Sequence, residues 1–164
     1  AAVGSIFFGM RLAASFNAPF LSASVAEFWG RRWHLTYTQL QHETIAKPMR
    51  KMMEDMGQPR IGLLLSYVLP FVVSAIMAEI VLYHCFGHLT YEWACFFLVQ
   101  PLGIIAETKL DLARRLSRPL RIIVTLSFLA LASELFLWPP LLRLGLHRHI
   151  CPQYLALVGA RVDV

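Results

Sequence analysis

Three apolar runs separated by short polar and basic stretches set the pattern of this chain. Ile61 to Phe86 runs for 26 residues without Lys or Arg. At about 1.5 Å per residue that exceeds a hydrocarbon core of roughly 30 Å, so the run predicts a tilted transmembrane helix. Pro70 predicts a kink within it, and Glu79 is a carboxylate where only protein neighbours or a water-lined cavity make one tolerable. Tyr91 to Ala106 is a second apolar segment, broken at Pro101 and closed by Glu107. It is short for a full crossing, and a tilted, re-entrant or interfacial course is open to it. Ile122 to Leu142 predicts a third span, with Glu134 inside it and Pro139-Pro140 near its end. Glu134 reads as a helix-packing contact ahead of a proton relay.

Ahead of these runs the period changes. Ser24-Val25-Ala26-Glu27 has the S-x-x-E spacing in which a hydroxyl and a carboxylate satisfy free backbone N–H groups at a helix start. The aromatic and basic cluster Phe28-Trp29-Gly30-Arg31-Arg32-Trp33-His34 follows at once, predicting one helix over residues 24–46 ended by Pro48. On a regular helix Trp29, Trp33, Tyr37 and Leu40 share an arc of about 80°, with Glu27, Arg31 and His34 on the other side. Such a face suits the membrane interface, where Trp and Tyr settle at headgroup depth and Arg reaches phosphate; Glu27 can pair with Arg31 one turn on. Lys47 to Arg60 then reads as a basic, polar connector turning at Gly57.

Composition agrees with the pattern. The chain is 57% hydrophobic and 15% charged, and its mean hydropathy of +0.57 is too apolar for an ordinary soluble domain of this length. The fold class is all-α: polytopic membrane helices with an interfacial amphipathic helix, forming one domain over 1–164. The net charge of +5 would suggest nucleic acid in a soluble protein. Here the basic residues alternate between loops: six from Arg31 to Arg60, none from Gly87 to Tyr91 and five from Lys109 to Arg121. Positive-inside topology explains that alternation, so a lipid bilayer is the expected partner and nucleic acid is not. With no initiating Met and an apolar opening from Ala1 to Met10, a fragment of a longer protein is expected. Cys85, Cys95 and Cys151 imply no disulfide framework. Neither His84, Cys85, His88 and Cys95 nor His147, His149 and Cys151 has a recognised zinc spacing, and no metal is expected. H-x-x-x-x-D and H-x-x-H-H signatures are absent.

The order of features resembles the wax synthase branch of the membrane-bound O-acyltransferases, which includes plant wax ester synthases and fungal terpenoid acetyltransferases. There an F-W-G-R-R-W-H type box precedes a span with an S-G/A-x-x-H-E pattern; here the span carries Val73-Ser74-Ala75-Ile76-Met77-Ala78-Glu79. The stretch Phe96 to Glu107 is similar to the next block, with Pro101 where a glycine is more usual. The resemblance covers roughly Pro19 to Glu107.

The resemblance implies transfer of an acyl or acetyl group from CoA to the hydroxyl of a lipid or terpenoid alcohol. Acyl-CoA or acetyl-CoA is then a co-substrate rather than a bound cofactor, a hydrophobic alcohol is the acceptor, and the endoplasmic reticulum is the expected membrane in a eukaryotic cell. It implies His34 as a residue of the reaction chamber and position 78 as the general base, with Trp33, Arg31, Arg32, Ser74 and Glu79 binding substrate. Arg31, Arg32, Lys47, Arg50 and Lys51 suit CoA phosphates and lipid headgroups alike. One residue departs: the family histidine is Ala78 here. A methyl group accepts no proton, and loss of a general base typically costs ~10²- to 10⁴-fold in rate. Three readings follow: a compensated acyltransferase, a catalytically inactive relative that binds lipid or acyl-CoA, and a polytopic membrane protein without a ligand.

Overall fold

A computed structural model describes residues 15–143. Ala1 to Met10 and the tail bearing His147, His149 and Cys151 lie outside the described residues. Among those described, every regular element is helical. After a short 3₁₀ turn at Pro19–Leu21 come α1 (25–32), α2 (35–55), α3 (Pro59–Phe86), α4 (Glu92–Lys109), α5 (Leu112–Arg115) and α6 (Arg118–Arg143). Of these, α3 and α6 are long and apolar enough to cross a membrane. At 18 residues α4 is about 27 Å long.

The expected single helix over residues 24–46 is interrupted. From Phe28 to Arg32 the chain winds as a π-helix, Trp33 is extended, and His34 takes a left-handed conformation at φ 42° before α2 begins. Peptide groups freed at this break are met by the chain just ahead of it: Asn17 N–H donates to the Arg32 carbonyl and Leu35 N–H to that of Ser15, both at 2.8 Å. A helix ladder gives way where another backbone offers equivalent hydrogen bonds. The π winding also corrects the expected ion pair. With hydrogen bonds stepping five residues, Glu27 stacks over Arg32 rather than Arg31, at 2.7 Å.

Pro48 does not end the helix either. A π-helical stretch, His42–Ala46, precedes it, so the proline falls in the first turn of a fresh α-helical register, Lys47–Asp55, where its missing N–H costs nothing. The expected polar connector is therefore helical as far as Asp55. The chain reverses at Gly57, whose φ of 73° favours glycine. The same device recurs in α6, where π-helical Ser133–Leu137 leads into Pro139-Pro140.

The end of α2 folds back along the start of α3, so close that a Cβ on Gly62 would lie 2.8 Å from that of Met53. Helices α3 and α4 form a hairpin, fastened by Glu79. Its two carboxylate oxygens accept the backbone N–H groups of Thr90 and Ala94 at 3.1 Å each, at the start of α4. On α4's far side lies α6, where Gly103 admits the ring of Phe128; a Cβ there would meet the ring at 2.7 Å. The buried apolar core is thin, chiefly Val25, Ala75, Leu82, Phe96, Leu129 and Ala132. Ile76, Ile80 and Tyr83 on α3 and Ile123, Leu131 and Leu135 on α6 face outward. Apolar side chains turned out from satisfied helix backbones are the arrangement a bilayer requires.

Candidate functional site

The aromatic cluster is held by its first half. Ser24 caps α1, its hydroxyl accepting the Glu27 N–H at 2.9 Å, and Glu27 reaches back to accept the Ala23 N–H at 2.8 Å. Glu107, at the end of α4, accepts the Val25 N–H with both oxygens, at 3.0 and 2.9 Å, and takes a longer bond from the Thr125 hydroxyl on α6. One carboxylate thus ties the start of the cluster to both neighbouring helices. Trp29 fills the gap between α1, α3 and α4, its indole edge-on to Phe71 and Phe96. Its Nε1–H donates to the Oε1 of Gln100 at 3.2 Å; Gln100 is fully buried and donates in turn to the Phe96 carbonyl. An indole N–H inside an apolar contact requires such an acceptor.

Arg32 commits four hydrogen bonds to the protein: two to Glu27 and one each to the carbonyls of Asn17 and Ala18. Burial opposes ionisation of Glu27, but the Ala23 N–H and the Arg32 guanidinium outweigh it and hold the carboxyl below its ordinary range. Arg31, by contrast, is exposed. Of the other cations expected near phosphate, Lys47 pairs with Glu43 and Arg50 with Glu54, each one turn away on the surface.

The second half of the cluster opens toward α3. Trp33 stacks on Phe28 and meets Phe16 edge-on, yet remains 40% exposed. His34 is exposed, its ring edge-on to Phe16 and Tyr37 at 5.9 and 5.8 Å. One turn into α2, Tyr37 and Gln41 converge on Ser74. The tyrosine hydroxyl is 3.5 Å from Ser74 Oγ, and Gln41 Nε2 donates to that oxygen at 3.0 Å and to the Pro70 carbonyl at 2.9 Å. Ala78 is one turn beyond Ser74 and shares its face, as i and i+4 do on a helix. His34, Tyr37 and Ser74 therefore follow one seam between α2 and α3, and Ala78 lies on the face of α3 that bears Ser74.

Arg32 and Glu79 are not brought into that seam. The first locks α1, and the second is spent on the start of α4. From the sequence Tyr37 reads only as part of the interfacial face, Gln41 carries no signal, and Gln100 enters only as a member of the block Phe96 to Glu107. A glutamine becomes informative only when its depth is known, because a buried amide must find partners. Gln100-Pro101 inside an otherwise apolar segment was the nearest available hint.

Residues 12–100 match the family described as membrane bound O-acyl transferase. The chain is 27% identical over 161 residues to acyl-CoA–sterol O-acyltransferase 1 of Arabidopsis thaliana, covering 94% of this chain and 46% of that one. It is also 27% identical over 162 residues to probable long-chain-alcohol O-fatty-acyltransferase 2 of the same plant, covering 96% and 47%. To the long-chain-alcohol O-fatty-acyltransferase of Simmondsia chinensis it is 24% identical over 153 residues, covering 89% and 43%. The chain thus spans about half the length of the curated relatives it matches. No solved structure matches it.

Proposed function

We infer that this chain, which belongs to the membrane bound O-acyl transferase family, carries part of the chamber in which an acyl or acetyl group passes from CoA to the hydroxyl of a lipid alcohol. The observation supporting this most strongly is the meeting at Ser74 of two segments far apart in sequence, through Tyr37 and Gln41. That contact supports a chamber between the segment that follows the aromatic box and the face of α3 that position 78 shares with Ser74. Relatives named for sterols and long-chain alcohols support an apolar acceptor, which would reach the seam from the bilayer. The exposed Trp33 and Arg31 are the box residues left to meet substrate.

In the reaction, the acceptor oxygen attacks the thioester carbonyl, the C–S bond breaks, and CoA leaves as the thiol, taking up the proton the hydroxyl lost. A base at position 78 would carry that proton; Ala78 does not. His34 is the imidazole that remains in the box to accept it. A second reading rests on the same methyl group: a relative that binds acyl-CoA or lipid without turnover.

Restoring the imidazole tests this. In the full-length protein inserted in membranes, Ala78→His is expected to raise transfer from labelled acyl-CoA to a panel of long-chain and terpenoid alcohols by at least about tenfold, within the range a general base supplies. Removing His34 in that background should abolish the gain. Transfer by neither protein would overturn the enzyme reading, and acyl-CoA bound no better than free lipid would overturn the binding one.

A further inference from the structure

The link between α5 and α6 reads Arg114-Arg115-Leu116-Ser117-Arg118-Pro119. Leu116 and Ser117 are extended, at φ −117°, ψ 143° and φ −63°, ψ 155°, and Ser117 is exposed at the start of α6. Hydroxyls elsewhere on these helices are engaged: Ser66, Thr108 and Ser133 each donate to a carbonyl one turn back. The Ser117 hydroxyl caps no N–H of the first turn, where Pro119 has none to offer. Arg114 and Arg115, three and two residues ahead of it, are exposed. Arg114 is 3.6 Å from Asp111, an open surface pair that holds the guanidinium only weakly.

We propose that Ser117 is a phosphorylation site for a serine kinase that selects basic substrates. Such an enzyme reads a charge pattern, holding an extended segment through carboxylates that face cations placed before the acceptor. Here two free arginines, extended backbone and an unengaged hydroxyl coincide within Arg114 to Ser117. Only the single turn of α5 must loosen, and a helix that short gives way at little cost. In the transfer, Ser117 Oγ attacks the γ-phosphorus of MgATP, the bond from that phosphorus to the bridging oxygen of ADP breaks, and the hydroxyl proton passes to the kinase's base. Access agrees, because the positive-inside pattern expects the loop Lys109 to Arg121 on the cytoplasmic face, where MgATP is found. The product adds about two negative charges at a helix start and beside Arg118, both favourable, and offsets part of the loop's attraction to an anionic membrane face. The site does not depend on the transfer reading, since labelling is measured without acyl turnover.

The test uses sealed microsomes that carry the full-length protein with their cytoplasmic face outward. They are given γ-labelled MgATP and a purified serine kinase that selects arginines two and three residues before its acceptor. Peptide mapping is expected to find the label on Ser117, and Ser117→Ala should lower incorporation at least about tenfold. Arg114→Gln combined with Arg115→Gln keeps the hydroxyl and should slow labelling by a similar factor of about ten. Arg118→Gln, beyond the acceptor, should change it less than about threefold. These are substitutions of exposed side chains, and an unchanged unfolding midpoint checks that the variants remain folded. No label, label undiminished in Ser117→Ala, labelling indifferent to the paired arginines, or label acquired only after detergent opens the vesicles would overturn the proposal.

Discussion

The two halves of the aromatic cluster differ in how their polar groups are spent. From Val25 to Arg32 nearly every donor and acceptor is taken: Glu107 holds the first N–H, Gln100 the Trp29 indole, and Glu27 the Arg32 guanidinium. From Trp33 to Gln41 fewer are taken: Tyr37 and Gln41 meet Ser74, and Trp33 and His34 are exposed. Even inside the first half, two residues alike in chemistry differ: Arg32 is committed to Glu27 and two carbonyls, and Arg31 is exposed. The comparison teaches that an arginine in a motif is evidence of a ligand only if the fold leaves its hydrogen bonds free.

The strongest test removes the lock. Arg32→Gln breaks a charge-assisted pair and strands Glu27, so a loss of about 2–3 kcal/mol in unfolding free energy is expected. Arg31→Gln should stay within about 0.5 kcal/mol. Equal losses would dissolve the distinction between the committed and the exposed arginine. Gln100→Leu is expected to cost less, about 1–2 kcal/mol, by leaving the Trp29 N–H buried without an acceptor. Its fluorescence signature should appear in the Trp29 contribution while Trp33 emission is unmoved.

The smallest expected effect is one of pH. Because the folded Glu27 carboxyl titrates below its ordinary value of 4.5, its contribution is fully present above that pH. It fades as pH falls through the lowered folded value. Acid titration of stability should therefore show a component that Glu27→Gln removes. An unchanged acid limb in that variant would mean the pair contributes nothing to the lock.

Much of the architecture was legible in the chain. The helix over Pro59–Phe86 begins two residues before the apolar run that predicts it, and the turn at Gly57 is where the sequence puts it. The Ser24 cap follows from its spacing to Glu27. These features are local: run length, glycine's access to positive φ and a three-residue hydrogen bond need no distant partner. The break at Trp33-His34 was not legible, because its cause is backbone supplied by Ser15 and Asn17, which the helical periodicity of residues 24–46 does not register. The two π-helical stretches ahead of Pro48 and Pro139 were hidden for a related reason. A proline announces a disrupted ladder but not whether the helix stops or re-registers.

By itself the sequence determined an all-α, membrane-suited chain and the order of motifs that resembles its family, since these are properties of residue identity and order. Only the tertiary structure decided which polar side chains are already satisfied. Glu79 and Glu107 each stand inside or beside an apolar segment, yet both prove to be acceptors for backbone N–H groups at the start of another helix. Gln41 and Tyr37 acquire a site meaning only by reaching Ser74 across the seam. A hydrogen bond depends on a partner's position, and position is what folding adds to identity.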